Sequence, residues 1–494
     1  MFDWLPNFAP KPNAFVAAIL TVGMLATVAC DAQSEPAGTP ATSNGASPVS
    51  QPNIIIFIAD DLGMGDLSYL GGQPQTPNID ALAADGIRLS NFHAFPVCSP
   101  SRAALLTGRS PLRNGLAWSP LPPWSENGLA SEEPTLATRL AAVNYQTALI
   151  GKWHLGHSTS AQHPNQNGFQ HFYGCLNGAV DYWTHQSRSG GLDWQRNGNS
   201  VTSAEYATDL IATEAVDVIG GHNFEQPLFL VVSFTAPHSP LQAPKHSLQQ
   251  YADIPDLARR TYCAMVSLMD TAVGQVLEAV AKQQQAQNTV VLFLSDNGGA
   301  RDQGAVNQPY RSGKGSVFEG GLKVPAVIHW PEKFPRGTEI SAFTTILDIS
   351  PTLLAAAGLS DSTSESPNDP ASDGRNLLPA LSGDPKAPLP NKPTPFVAVN
   401  STRAQFALFD DGYKLVRRVN QSDGAVKEWL YHLSADPDEK KNLLAAQPER
   451  ATSMREQLET WLKLDPTGPT LDHAPPPKES QPANWSPPKD WAQD

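Results

Sequence analysis

"NIIIFIAD", residues 53–60, is a continuous apolar, β-branched run that ends in a carboxylate. A strand with one wet face alternates polar and apolar residues. This run does not, so it reads as a strand buried on both faces. Four runs of the same kind follow: QTALIG (146–151), PLFLVVSF (227–234), TVVLFLSD (289–296) and VPAVIHW (324–330). Helical segments lie between them at 135–143, 203–219, 257–283 and 347–357. Buried strands alternating with helices predict an α/β domain built on a wound, mostly parallel sheet with helices on both faces. Ligands in such folds sit beyond the carboxyl ends of the strands.

Upstream of this domain, AFVAAILTVGMLATVA (14–29) is short for a membrane span and suits the apolar core of a signal peptide covering 1–30. Cys30 follows the small residues, as a lipid-attachment cysteine would; ordinary secretion with cleavage nearby is the alternative. Residues 31–52, rich in Pro, Ser, Gly, Ala and Thr, read as a flexible tether. The expectation is an exported protein, periplasmic or anchored to a membrane through Cys30. Downstream, the main domain runs over 53–360 and a Ser/Pro/Asp/Gly stretch over 361–395 makes connecting loops. Residues 396–465 then carry FVAVN, QFALFDD, YKLVRRV and EWLYHL, read as a small antiparallel sheet, and a helix over 448–462. The tail, 466–494, is proline-rich.

Apolar residues at 40% and charged residues at 17% of 494 suit a globular protein. A net charge of −14 argues against a nucleic-acid binder, and it requires any anion pocket to be locally positive. Four cysteines, Cys30, Cys98, Cys175 and Cys263, are too few for a disulfide scaffold and match no zinc spacing. A Cys175–Cys263 bridge and two free buried thiols both remain open.

The strand ends carry the polar groups. Asp60-Asp61 closes one buried strand and Asp296-Asn297 another, an all-oxygen set suited to Ca²⁺ or Mg²⁺ if the two pairs converge. Taken singly, each pair is also ordinary turn chemistry. IGKWHLGH offers Lys152 and His154 on one face of an extended chain, FTAPHSP offers His238, and PYRSGKGSVFEGG sets Lys314 in a glycine-rich loop. In FPVCSPSRAALLTGR (95–109), Ser99 is expected to cap a short helix with Pro100 at its first position and Gly108 at its end. Cys98 then sits at or before the helix N-terminus, with Arg102 on the same side. That position suits a thiolate nucleophile or a small buried hydrophobe.

Cys98-Ser99-Pro100-Ser101-Arg102, extended by ALLTGR and in register with both metal pairs, GKWHLGH, APHSP and GKGSVFEGG, resembles the C-x-P-S-R signature of the type I, formylglycine-dependent sulfatases. The resemblance covers nearly the whole chain after Asn53. It implies an alkaline phosphatase-like fold: a wound mixed sheet between helices, with a small C-terminal antiparallel subdomain. It implies that Cys98 is oxidised to Cα-formylglycine (3-oxoalanine) by a formylglycine-generating or anaerobic sulfatase-maturating enzyme. The metal, Ca²⁺ ahead of Mg²⁺, would be held by Asp60, Asp61, Asp296, Asn297 and the modified Cys98. Arg102, Lys152, His154, His238 and Lys314 would complete the catalytic set, with Lys152, His238 and Lys314 also meeting substrate. In the implied mechanism one hydroxyl of the hydrated aldehyde attacks sulfur. Deprotonation of the second, assisted by His154, expels sulfate, while His238 or Lys314 stabilises the departing alcohol oxygen.

GAVDYWTH, APHSPLQAP and NQPYRSGKGSVFEGGLKVPAVIHWP look most like the arylsulfatase B-like, N-acetylgalactosamine-4-sulfatase-like branch, which implies a sulfated carbohydrate substrate, polysaccharide or glycosaminoglycan-derived. Specificity is expected in WSPLPPW (118–124) and DYWTHQSRSGGLDW (181–194), where Asp181, His185 and Arg188 are candidate substrate contacts or else loop packing. Two other readings compete: a phosphate or phosphonate ester hydrolase on the same scaffold, and a non-catalytic lipoprotein that binds sulfated glycans.

Overall fold

The structure, a computed structural model, describes residues 51–359, 372–383, 389–465 and 468. The signal segment, Cys30, nearly all of the tether, much of the connecting loop and nearly all of the tail lie outside the described residues.

Ten strands form the main sheet, and its centre is parallel. Asn53–Ala59 is flanked by Thr289–Ser295 and Leu228–Ser233; Gln146–Lys152 and then His171–Cys175 extend the parallel block. Every residue of Asn53–Ala59 is buried, because both faces are covered. Ile54, Ile56 and Ile58 pack on one side with the Cys98–Thr107 and Leu136–Ala141 helices. Ile55, Phe57 and Ala59 pack on the other with Ala207–Gly221 and Leu257–Lys282. Each such side chain contributes about 1.5–3 kcal/mol by leaving water, which is why the run has no polar interruption. The strand after the glycine-rich loop, Ala326–His329, runs antiparallel to Thr289–Ser295, so the sheet is mixed. Leu257–Lys282 is long and apolar enough to cross a membrane, but its apolar face lies in this core.

A second sheet of four antiparallel strands spans Thr394–Asn400, Arg403–Asp410, Tyr413–Asn420 and Val426–His432. Phe396, Ala407, Phe409 and Tyr431 face the main core. Val397, Phe406, Leu408 and Leu415 face Met454 and Leu458 of the Pro448–Leu462 helix. The small sheet is thus buried on both faces and docks directly on the main-sheet layer.

Two expectations change. The helix after Val97 starts at Cys98 itself, with Val97 as the extended residue before it. Ser99 does not cap; its Oγ accepts the Leu121 N–H at 3.1 Å and so ties the 118–124 loop to the helix. Gly108 does end the helix, at φ 67°, where a Cβ would lie 2.9 Å from that of Ser372. Cys175 and Cys263 are free and buried in different core clusters, so no bridge joins them.

Candidate active site

Four strand ends converge. The Asp60 N–H donates to Ala236 O at 3.0 Å and the Asp296 N–H to Ala59 O at 3.0 Å. These two bonds align the end of the central strand with the ends of its neighbours. Asp60, Asp61, Asp296 and Asn297 are all buried beneath Cys98, and they lie at the carboxyl edge where ligands of wound sheets belong.

Each carboxylate meets a cation. Lys152 Nζ lies 2.6 Å from Asp60 Oδ2, and both side chains are fully buried. Lys314 Nζ lies 2.7 Å from Asp61 Oδ1. Arg102 reaches Asp296 Oδ2 through Nε at 3.0 Å and Nη2 at 2.9 Å. Its Nη1 donates to Lys152 O at 2.9 Å and to Ser233 Oγ at 2.6 Å, which fixes the plane of the guanidinium. Burial raises the Asp61 carboxyl, but Lys314 and His238 outweigh it and hold the group well below the usual carboxylate range. Burial, with Asp60 adding to it, pushes Asp296 up to about 6 despite Arg102. Burial likewise pushes the Cys98 thiol up, against the pull of Lys152 and Lys314. A thiol held protonated is a poor nucleophile, so the helix N-terminus does not make Cys98 a thiolate.

The histidines are neutral. Burial, then Lys314, lowers His238 to about 3. Burial, then Lys152, lowers His154 well below the ordinary imidazole range. His238 Nδ1 lies 2.7 Å from Ser239 O, and its Nε2 faces Asp61 Oδ2 at 3.6 Å. His154 Nε2 lies 2.9 Å from Leu121 O, leaving a buried Nδ1 without a hydrogen-bond partner. Its ring rests on Gly178, where a Cβ would meet it at 2.5 Å, so only glycine fits there.

Two further oxygens, Asp60 Oδ1 and Asn297 Oδ1, are buried without a hydrogen-bond partner. Such atoms cost free energy unless something binds them. Asp60, Asp61, Cys98 and His238 offer atoms within 4.8 Å of one another. A hard divalent cation fits the oxygen donors Asp60, Asp61 and Asn297 at this floor. The structure puts His238 nearer the metal group than expected. It also ties one Asp296 oxygen to Arg102 while the other accepts the Asp61 N–H at 3.3 Å.

Three supporting residues carry no sequence signal. Ser233 bridges Arg102 and Lys152 O. Tyr262 donates to Asp61 O at 3.0 Å and holds Asp61 at φ 70°, a left-handed conformation unfavourable for aspartate. Gln405, from the small sheet, donates to Gly315 O at 2.8 Å, next to Lys314.

Above the floor lies a cleft of about 400 Å³ lined at its base by Cys98, His154, His238 and Lys314. The 120–124 segment and Arg188 line its outer part. Of the three specificity candidates, Arg188 alone lines the cleft. Asp181 is taken up by the Trp183 and Thr184 N–H groups and by Gln242 Nε2. The structure turns His185 inward: it is buried, with its ring 4.8 Å from that of Trp194, and it does not line the cleft.

Residues 52–359 match the sulfatase family, and residues 312–464 match the family described as N-sulphoglucosamine sulphohydrolase, C-terminal. Arylsulfatase J of Mus musculus is 36% identical over 320 residues, covering 63% of this chain and 54% of that protein. N-acetylgalactosamine-6-sulfatase of Homo sapiens is 36% identical over 364 residues, covering 68% and 67%. The chain therefore spans 54% to 67% of the length of these two relatives. Their names do not single out the arylsulfatase B-like branch. The crystal structure of Ps i-CgsB in complex with k-i-k-neocarrahexaose is 32% identical with a TM-score of 0.77, covering 86% of this chain and 95% of that one. That of PsFucS1 sulfatase from Pseudoalteromonas sp. is 26% identical with a TM-score of 0.69, covering 84% and 91%. With the parallel sheet, the converging strand ends and a family match across the whole main domain in agreement, this chain belongs to the sulfatase family.

Proposed function

We propose that this chain hydrolyses sulfate esters of sulfated carbohydrates, using a formylglycine derived from Cys98 and a calcium ion held by Asp60, Asp61, Asp296, Asn297 and that residue. The observation that carries this reading is the pair of partnerless buried oxygens, Asp60 Oδ1 and Asn297 Oδ1, among balanced charges at the base of the cleft that Cys98 lines. Together the cation and the oxidised side chain supply Lewis-acid polarisation and an oxygen nucleophile. The chain's own residues do the rest. Arg102, fixed by Ser233 and Lys152 O, orients Asp296. Lys152, wholly buried, orients Asp60 and adds positive charge beneath the sulfate. Lys314 reaches the cleft and donates hydrogen bonds to a sulfate oxygen or the departing alcohol oxygen. His154, with Nε2–H on Leu121 O, has its Nδ1 lone pair free to take a proton from the group at position 98. His238, neutral with Nδ1–H on Ser239 O, accepts hydrogen bonds through Nε2, which leaves Lys314 as the donor to the leaving oxygen.

Support for a carbohydrate sulfate comes from the relatives named for N-acetylgalactosamine-6-sulfate and the neighbour bound to a neocarrahexaose. Export, lipid attachment at Cys30 and a maturation enzyme belong to the same proposal and rest on the sequence pattern of the first thirty residues and of 98–102.

The test is free-sulfate release from a panel of defined sulfated mono- and oligosaccharides, by enzyme co-expressed with a maturation enzyme. Wild type is expected to release sulfate, and Cys98→Ala to release none while melting like wild type. Peptide mass spectrometry of active enzyme is expected to find formylglycine at position 98; full activity with unmodified cysteine overturns that assignment. Faster turnover of 4-nitrophenyl phosphate than of any sulfate would favour the phosphatase reading.

A further inference from the structure

The cations of the site floor are all matched: Lys152 by Asp60, Lys314 by Asp61, Arg102 by Asp296. Arg188 is not. Its Nη2 donates to Ser239 Oγ at 2.5 Å, with Ser239 O at 3.4 Å, and no carboxylate among the described residues forms an ion pair with it. The side chain is exposed. It lines both the catalytic cleft and an adjoining open pocket of about 420 Å³, so it stands at their junction. Asp181 borders that outer pocket, but its oxygens are held by Trp183, Thr184 and Gln242. Among the described residues no carboxylate lines the catalytic cleft.

The anchoring matters. Ser239 follows His238 directly, so the Arg188 guanidinium is hydrogen-bonded to the segment that carries a floor residue. An arginine has five N–H donors, and the contacts to Ser239 occupy one nitrogen. The remaining fork suits a planar or tetrahedral oxyanion. Elsewhere the outer cleft is apolar: Pro122 and Pro123 line it beside Trp124, which is 38% exposed. Apolar rings of this kind suit the C–H face of a sugar. In a chain of net charge −14, an unmatched arginine here is the local positive charge that a polyanion needs.

We propose that Arg188 forms a second anion subsite, one that binds an acidic substituent, sulfate or carboxylate, other than the sulfate being removed. The preferred substrates are then sugars or oligosaccharides bearing at least two acidic groups. This rests on the sulfatase reading and narrows it to a substrate class.

The experiment measures kcat/KM for sulfate release by wild type, Arg188→Gln and Arg188→Lys on three matched oligosaccharides. One carries a single sulfate, one a second sulfate on the neighbouring position, and one a carboxylate there. Wild type is expected to prefer one or both doubly acidic members. Arg188→Gln should lose about ten- to a hundredfold more on the preferred member than on the singly sulfated one, the range for a hydrogen bond to a charged group. Arg188→Lys should recover part of that loss, and raising the salt should shrink the preference. Which doubly acidic member is affected identifies the group as sulfate or carboxylate. Equal losses on all three members, or none, overturn the Arg188 assignment while leaving the sulfatase reading intact. Release of no sulfate by wild type from any member, or from 4-nitrophenyl sulfate, overturns the sulfatase reading and this inference with it.

Discussion

Two of the places where the protein buries charge are built differently. One is the floor of the cleft. The other lies between the main-sheet layer and the small sheet, where Lys414 Nζ sits 2.8 Å from Glu319 Oε1 and 2.8 Å from Glu439 Oε1. His93 Nε2 meets the other Glu319 oxygen at 3.0 Å, and the Glu319 N–H donates to Glu439 Oε2 at 2.8 Å. Burial raises the Glu319 carboxyl, but Lys414 and His93 overcome this and hold it well below the ordinary range. Burial pushes the Glu439 carboxyl up, against the pull of Lys414. This second cluster is a staple: it joins the 319–322 turn to the Tyr413–Asn420 strand. The cleft floor, by contrast, keeps two oxygens without partners and lies beneath a cleft lined by Cys98 and Lys314. Burial and charge are common to both. The unfilled oxygens and the cleft are what distinguish a site from a joint.

The comparison breaks first at the floor. Asp60→Asn removes one of the charges meant for the cation, and turnover is expected to fall more than about a thousandfold, since both the cation and the nucleophile it polarises depend on the site. Sulfate release measured beside metal content checks this. Retained turnover together with retained metal would mean that the floor is only another staple.

Lys414→Met probes the joint. Removing one partner of a buried ion pair costs about 3–5 kcal/mol, so the melting transition should fall well below that of wild type. Sulfate release per folded molecule, measured below that transition, should change far less than in Asp60→Asn. A variant that melts with wild type would deny the cluster its structural role.

The smallest effect is expected where the two regions touch. Gln405 reaches from the small sheet to Gly315 O and is itself held by Arg418 Nε at 3.0 Å. Gln405→Ala should cost about 1 kcal/mol of positioning, a several-fold fall in kcat, because the loop that carries Lys314 loses an anchor. KM should move less than kcat and the melting temperature little. A purely structural role would lower the melting temperature without the split between kcat and KM.

Long buried strands were easy to read. The run at 146–151 appears as Gln146–Lys152, that at 289–296 as Thr289–Ser295, and the helix at 448–462 as Pro448–Leu462. Short elements were not. Ile87–Leu89 has three residues and His171–Cys175 five, too few for a period to emerge, and the main sheet alone makes them strands. The N-cap expectation at Ser99 failed by two residues, the cap being Val97, and the Ser99 hydroxyl has a partner in another loop, Leu121 N–H. Asp60, Asp61, Asp296 and Asn297 were legible because they follow the strand runs directly. Ser233, Tyr262 and Gln405 are ordinary residue types whose roles arise from partners 131, 201 and 90 residues away. No local pattern encodes contacts at such separations.

The sequence by itself determined the layered α/β architecture, the order of its strands along the chain and the polar residues at their ends. Hydrophobic burial acts on each segment separately and so leaves its trace locally. The tertiary structure decided what those residues face. It left Asp60 Oδ1 and Asn297 Oδ1 without partners, gave the Glu319 carboxylate to Lys414, and pushed the Cys98 thiol up by burying it. It also separated two residues three apart in one loop, turning His185 into the core against Trp194 and Arg188 out to the cleft. Side-chain identity sets what a group can bind; only the packing around it determines whether a partner is already there.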